Sequence, residues 1–358
     1  MNSLVIHIGP PKCGSSSIQH FLSSYKRPFT ERTRFIKLNG SSIVNDLSRD
    51  KENIPFNKLL AKNLKFKGCL ILSHESLFLK PEAIRKIALL TSSEVSQILI
   101  TGYSRRQSDF VLSAYNQWGF RNPEVVKRMK STLLQNHIDP LQFLGFERQL
   151  IASILNDFNQ DKPPVMDWNR SYVHIEELVS SFNNTDVRAG ILPGKGSSRS
   201  LIQHFSKMAN LTLRERYKSV DRKKNVRFNT YLTEAVNNAA GMDLDIPDLH
   251  SNNDFFRNTA DSFSGELEGR EFLSRLKDYT DAYFHKSNMA FCRKYDLNEE
   301  YFKVSGNYSH EEILEVIKQE EQKRIKDNTM IRKYRQISGM LAEAFYKYHL
   351  GTREDDGQ

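Results

Sequence analysis

Cysteine is scarce in this chain of 358 residues: Cys13, Cys69 and Cys292 are the whole supply. Three thiols so far apart make no disulfide framework, and no C-x-x-C pair suggests a zinc site. The expectation is a protein of a reducing compartment. Long apolar runs are missing too. Nothing approaches the roughly eighteen consecutive apolar residues that would span a bilayer. The N-terminal residues carry no charged region followed by an apolar stretch and a small-residue cleavage site. These absences lead to the expectation of a cytoplasmic protein without a transmembrane segment. Internal repeats and low-complexity tracts are also missing.

What is present is enough for a sizeable core: 39% of the residues are hydrophobic and 11% aromatic. Such a composition excludes a disordered chain. Lysine and arginine outnumber aspartate and glutamate by 52 to 43, a formal charge of +9. That balance suits an anionic ligand, but a nucleotide, an acidic polysaccharide, a nucleic acid and a lipid surface would all satisfy it.

Periodicity supplies the organisation. Ser3 to Ile8 is a short apolar run that stops at Gly9-Pro10-Pro11, and Ile18, Phe21, Leu22 and Tyr25 then recur at helical spacing. Strand, glycine-bearing loop, helix is the opening of a nucleotide-binding α/β sheet. Cys69 to Leu72, Gln97 to Thr101 and Asp186 to Leu192 read as further strands with helical stretches between them. Continuous apolar strands alternating with helices predict a parallel sheet covered on both faces. The expected fold class is a three-layer α/β fold of P-loop type, with a helical insertion near 120–180 broken at Pro163-Pro164. A second loop, Pro193 to Ser198, leads into a helix expected to start at Arg199. From about Ser309 the chain turns into densely charged helix. There Met330, Tyr334, Ile337, Leu341 and Phe345 form an apolar stripe, which folds back on the chain, pairs with a second copy or docks onto a partner protein.

The densest chemistry lies in Gly9-x-x-Lys12-x-Gly14-Ser15-Ser16-Ser17. Glycines let the backbone turn with its N–H groups inward, and the following helix N-terminus adds positive potential, a cradle for phosphate or sulfate oxygens. In a nucleoside-triphosphatase loop the lysine follows the second glycine. Here Ser15 holds that place and the lysine stands at Lys12. The strand ends Ser73-His74-Glu75 and Thr101-Gly102-Tyr103 offer no metal-binding aspartate either, so a kinase or NTPase with a degenerate loop is the weaker reading. A sulfuryl group in transfer carries less charge than a phosphoryl group, so one ammonium and a nest of amides could serve it without a metal.

The stretch His7 to Gln19 resembles the 5′-phosphosulfate loop of sulfotransferases that use 3′-phosphoadenosine 5′-phosphosulfate (PAPS), and most of all that of bacterial carbohydrate-type members. Cys13 stands where threonine is common, and Ser15 and Ser16 replace two threonines. The resemblance implies cofactor contacts from Pro11, Lys12, Cys13, Gly14, Ser15, Ser16 and Ser17. Some ninety residues on, Tyr103 to Tyr115 resembles the family's 3′-phosphate motif, with Arg105 after a strand and Ser113 eight residues later. Arg106 is open to a substrate contact or a solvated charge.

Weaker similarity at Asp167 to Leu192, Asn225 to Asn229 and Ser287 to Tyr295 extends the likeness over residues 1–303, leaving 304–358 as a charged helical extension. The basic run Arg222-Lys223-Lys224 either closes over the cofactor, as a basic loop does in many relatives, or is a solvated charged turn. Leu72 to Leu77 resembles the segment that carries the family's base, which implies Glu75 in that role with His74 second, and Lys12 beside Glu75 to keep it ionised. The implied activity moves a sulfuryl group from PAPS to a hydroxyl or amine without a metal. The implied acceptor is a carbohydrate or cell-surface glycan, and no nucleic-acid partner is expected. A nucleotide- or glycan-binding module that has lost turnover is the non-enzymatic alternative.

Overall fold

The computed structural model describes residues 2–38, 41–116, 122–157, 166–193, 201–217, 233, 234, 237, 270–306 and 308–339. The chain divides into two compact units, each assembled from three stretches of sequence. The first comprises Met1–Arg106, Pro163–Asn225 and Lys286–Phe302, and the second Gln107–Lys162, Val226–His285 and Lys303–Gln358.

The first unit is an α/β sandwich around a five-stranded parallel sheet. Its strands are β1 (Ser3–His7), β2 (Thr33–Lys37), β3 (Cys69–Ser73), β4 (Gln97–Ser104) and β5 (Thr185–Ile191), in the order β2-β3-β1-β4-β5. β1 is central, pairing Ser3 with Cys69 on one side and with Gln97 on the other. Leu4, Val5, Ile6, Ile71, Ile98 and Ile100 are fully or almost fully shielded, as expected of strands covered on both faces. One face carries α1 (Ser15–Ser24) and a helix at Leu201–Met208. His7 meets Phe205 of the latter edge-on. The other face carries α2 (Ser41–Ser48) and α4 (Pro81–Thr91), while α3 (Ile54–Leu64) leads into β3.

Two strands differ from their sequence reading. β2 was not anticipated. Its Thr-Arg-Phe-Ile-Lys pattern is only half-buried, because it is the sheet edge and pairs on one side alone. β4 runs on to Ser104, three residues beyond the expected Thr101: Gly102-Tyr103 pairs with Ala189-Gly190 of β5 and is buried. Gly102 earns its place by close approach, since a Cβ there would lie 2.5 Å from the Tyr172 hydroxyl.

The helix α5 (Gln107–Tyr115) and, within the stretch anticipated as a helical insertion, α6 (Pro123–Gln135) and α7 (Gly145–Asp157) belong to the second unit. The next helix, α8 (Trp168–Val179), is the crossover that packs on α4 and feeds β5. The second unit is helical and adds α10 (Arg270–Tyr283), α12 (His310–Lys326) and a helix over 329–339; the helix at Leu201–Met208 is α9 and that at His285–Lys294 is α11. Remote carboxylates finish its helix starts. Asp281 accepts from the Ser108 N–H at 2.9 Å, and Glu234 accepts from the N–H groups of Gly145 and Phe146 at 2.7 and 3.2 Å. Arg324 of α12 forms a two-pronged, fully buried pair with Glu147 at 2.7 and 3.0 Å, its guanidinium flanked by the Phe143 and Phe272 rings. Met330 and Ile337 of the C-terminal stripe are buried, and the Tyr334 hydroxyl donates to the Leu141 carbonyl at 3.3 Å. The described part of the stripe thus folds back on its own chain. Leu341 and Phe345 lie outside the described residues, as do Pro163-Pro164, most of the Pro193 to Ser198 loop with Arg199, the basic run 222–224 and the segment 225–229.

Candidate functional site

All five strands are parallel, so their carboxyl ends share one edge of the sheet, where ligands bind in open α/β folds, at the point where strand order reverses. β1 is that point, since its next strand in the chain lies on one side and β4 on the other. The loop after β1 therefore sits between the end of β3, which delivers His74 and Glu75, and the end of β4, which delivers Arg105. The sheet brings together Lys12, His74-Glu75 and Arg105, residues that lie up to 93 positions apart in sequence.

The loop has an inside and an outside. Lys12 takes a left-handed backbone (φ 68°) and so does Gly14 (φ 90°), the residue that starts α1. Cys13 donates its N–H to the Pro10 carbonyl at 3.2 Å while its thiol is fully buried. Burial pushes that thiol up to about 12, against the pull of Arg105, so it stays protonated and unreactive. Ser15 is buried as well and its hydroxyl donates to the Gly9 carbonyl at 3.0 Å. The Cys13 thiol is thus buried and its N–H already used within the loop, while Ser15, its hydroxyl spent on Gly9, has only its backbone N–H to offer. Pro11, Lys12, Gly14, Ser16 and Ser17 are half-buried, open to a ligand. In the first turn of α1 the N–H groups of Ser15 and Ser16 have no acceptor within the helix, whereas that of Ser17 donates to the Gly14 carbonyl at 3.0 Å.

Arg105 is tied to the loop. Its Nη1 donates to the Lys12 carbonyl at 3.2 Å, and its own carbonyl accepts from the Trp168 indole at 2.8 Å. A cation thus stands beside the cradle, held from both sides. Arg106 turns elsewhere: its Nε donates to the Tyr301 carbonyl at 2.8 Å and its guanidinium lies 6.0 Å from that ring's centre. Ser113 lies half-buried on α5, in the second unit.

At the end of β3 the two candidate bases are in different states. His74 opens the 3₁₀ turn Glu75–Leu77, its Nδ1 accepting the Ser76 N–H at 3.0 Å. That bond assigns the ring proton to Nε2, so no lone pair is left to take another. Burial, and Lys37 against Glu75, hold its pKa below the usual range. Glu75 is exposed and its carboxylate makes no hydrogen bond or ion pair among the described residues, the expected pair with Lys12 included. Of the two, Glu75 has free lone pairs.

Sequence reasoning read His7 as a core residue of the first strand and missed its partners beneath the loop. His7 Nδ1 lies 2.8 Å from Ser73 Oγ, which also accepts from Gln19 Nε2 at 3.0 Å. This ties β1, β3 and α1 together under the cradle. His7 is buried, its Nε2 has no hydrogen-bond partner, and burial lowers its pKa to about 4. Partners 66 and 54 residues apart leave no local signal, although a histidine inside an apolar strand hints at one.

Among the described residues no helix is long and apolar enough to cross a membrane, and no group of three or more His, Cys, Asp or Glu side chains could hold a metal ion. No protein-family model and no curated protein matches the chain. Among solved structures, a sulfotransferase from Alicyclobacillus acidocaldarius is similar at 12% identity and a TM-score of 0.38, covering 83% of this chain and 97% of that one. A likeness that faint carries no functional weight, and the residues must carry the reading.

Proposed function

We propose that the chain is a sulfotransferase that moves a sulfuryl group from PAPS to a hydroxyl or amine. The observation that carries this reading is the convergence of three elements on one sheet edge: the Gly9 to Ser17 cradle, Arg105 tied to it, and Glu75 on the neighbouring strand end. The cradle fits a phosphosulfate in its donor set, with left-handed backbone at Lys12 and Gly14, a helix N-terminus behind them, and half-exposed Ser16 and Ser17 hydroxyls.

PAPS supplies the activated sulfuryl group. In this reading the loop amides, Lys12, Ser16 and Ser17 bind its 5′ end, and the Lys12 ammonium offsets the charge that grows on the departing phosphate oxygen. Arg105 takes the 3′-phosphate, with Ser113 as the second contact on the strength of the sequence resemblance. Glu75 accepts the proton of the acceptor hydroxyl or amine. His74 holds the turn that presents Glu75. The acceptor class proposed is a carbohydrate, on the same resemblance.

The test follows transfer of labelled sulfur from PAPS to a panel of glycans. The protein should label at least one acceptor, and Glu75→Gln should lower turnover by roughly 10²–10⁴-fold while leaving nucleotide affinity intact. An active Glu75→Gln beside an inactive His74→Ala would exchange the two roles. ATP consumption in place of sulfuryl transfer would overturn the reading.

A further inference from the structure

The second unit holds a cavity of about 560 Å³ that the sulfuryl-transfer reading does not use. It falls in the range of roughly 300–1,000 Å³ that small-molecule sites occupy. Its wall is formed by α6, the Leu141-Gln142 turn, α7, the end of α12 and the helix over 329–339. Two features set it apart. Leu141, Ile325 and Ile331, among the most exposed large apolar side chains of the described residues (56%, 45% and 53%), all line it. Exposed apolar groups gathered at one cavity mark a place that something apolar covers.

The second feature is charge. Among the described residues that line the cavity, Lys130, Arg148 and Arg324 are basic and none is acidic. Arg324 is neutralised from behind by Glu147 and Glu320. Arg148 is not. It is buried, its terminal nitrogens donate to two neutral oxygens, Pro140 O and Asn237 Oδ1, and its Nε has no acceptor. Glu234, the acid nearby, spends its oxygens on the Tyr115 hydroxyl and the N–H groups of Gly145 and Phe146. The Glu234 charge acts on Arg148 without a hydrogen bond to it, so a buried guanidinium bonded to neutral oxygens keeps one donor unused, which is costly unless an acceptor meets it.

We propose that this cavity binds an amphipathic small molecule with an apolar chain and one anionic head, the chemistry of a fatty carboxylate, with the chain against Leu141, Met330 and Ile331 and the head toward Arg148. The site stands independently of PAPS binding.

Calorimetry on the full chain tests it, with dodecanoate, dodecanol and dodecyltrimethylammonium as probes below their micelle-forming concentrations. Dodecanoate should bind at a single saturable site at least about tenfold more tightly than either probe with the same chain, the share of one charge-assisted hydrogen bond. Arg148→Met should abolish that preference. Because Arg148 also braces the fold, Ile331→Glu provides the second arm: at an exposed position it places a like charge at the cavity and should weaken dodecanoate by about tenfold or more. Equal affinity for dodecanoate and the ammonium probe, unchanged affinity in Ile331→Glu, or no binding at all would each overturn the proposal.

Discussion

Single side chains in this protein do chemistry according to how the backbone places them. Cys13 and Ser15 belong to the cradle by sequence, yet burial makes one inert and commits the other to a loop carbonyl. His7 shows the same principle in a form that can be titrated. Unfolded, its ring takes a proton below 6.5; folded, burial delays that to about 4. The folded-state pKa is lowered, so stability is intact above pH 6.5 and is lost as pH falls from 6.5 to about 4, by up to about 3 kcal/mol. Urea midpoints measured across that window should fall more steeply for the parent than for His7→Gln. Parallel slopes would mean that His7 is protonated in the folded protein.

Among the elements, the loop joining β1 to α1 depends on one residue that only glycine fills. Gly14 has φ 90°, and a Cβ there would lie 2.7 Å from Leu201 and 2.8 Å from Leu192. Gly14→Ala should lower stability by about 1–3 kcal/mol and weaken nucleotide binding, read by thermal denaturation and calorimetry. Gly339→Ala is the control. It has open space around its Cβ in the helix over 329–339 and should be neutral or stabilising by up to about 1 kcal/mol. Equal losses in both would show that the loop is not the constrained element. The glycines and lysine of this loop were legible in sequence because their spacing has a mechanism. β2 was not, because an edge strand with one buried side lacks the continuous apolar run that marked β1, β3 and the start of β4. Nor was the true end of β4, where Gly102-Tyr103-Ser104 looks polar and turn-like but is buried by β5 and α8.

At the scale of the molecule, the parallel order of strands was foreseeable from their alternation with helices, and the convergence of Lys12, Glu75 and Arg105 on one edge follows from it. The ties that hold that edge were not foreseeable. Arg105 to the Lys12 carbonyl, Trp168 to the Arg105 carbonyl, and His7 with Gln19 to Ser73 all join residues more than fifty positions apart. The helical unit hid its logic in the same way, since the Arg324–Glu147 pair looks in sequence like two ordinary surface charges. The central claim, that this edge holds PAPS, is most directly tested by comparing adenosine 3′,5′-bisphosphate with ADP in calorimetry. The 3′-phosphate should add about 2–3 kcal/mol of binding in the parent protein, and Arg105→Ala should remove most of that difference while the fold persists. Equal affinity for the two nucleotides in the parent protein would contradict the assignment.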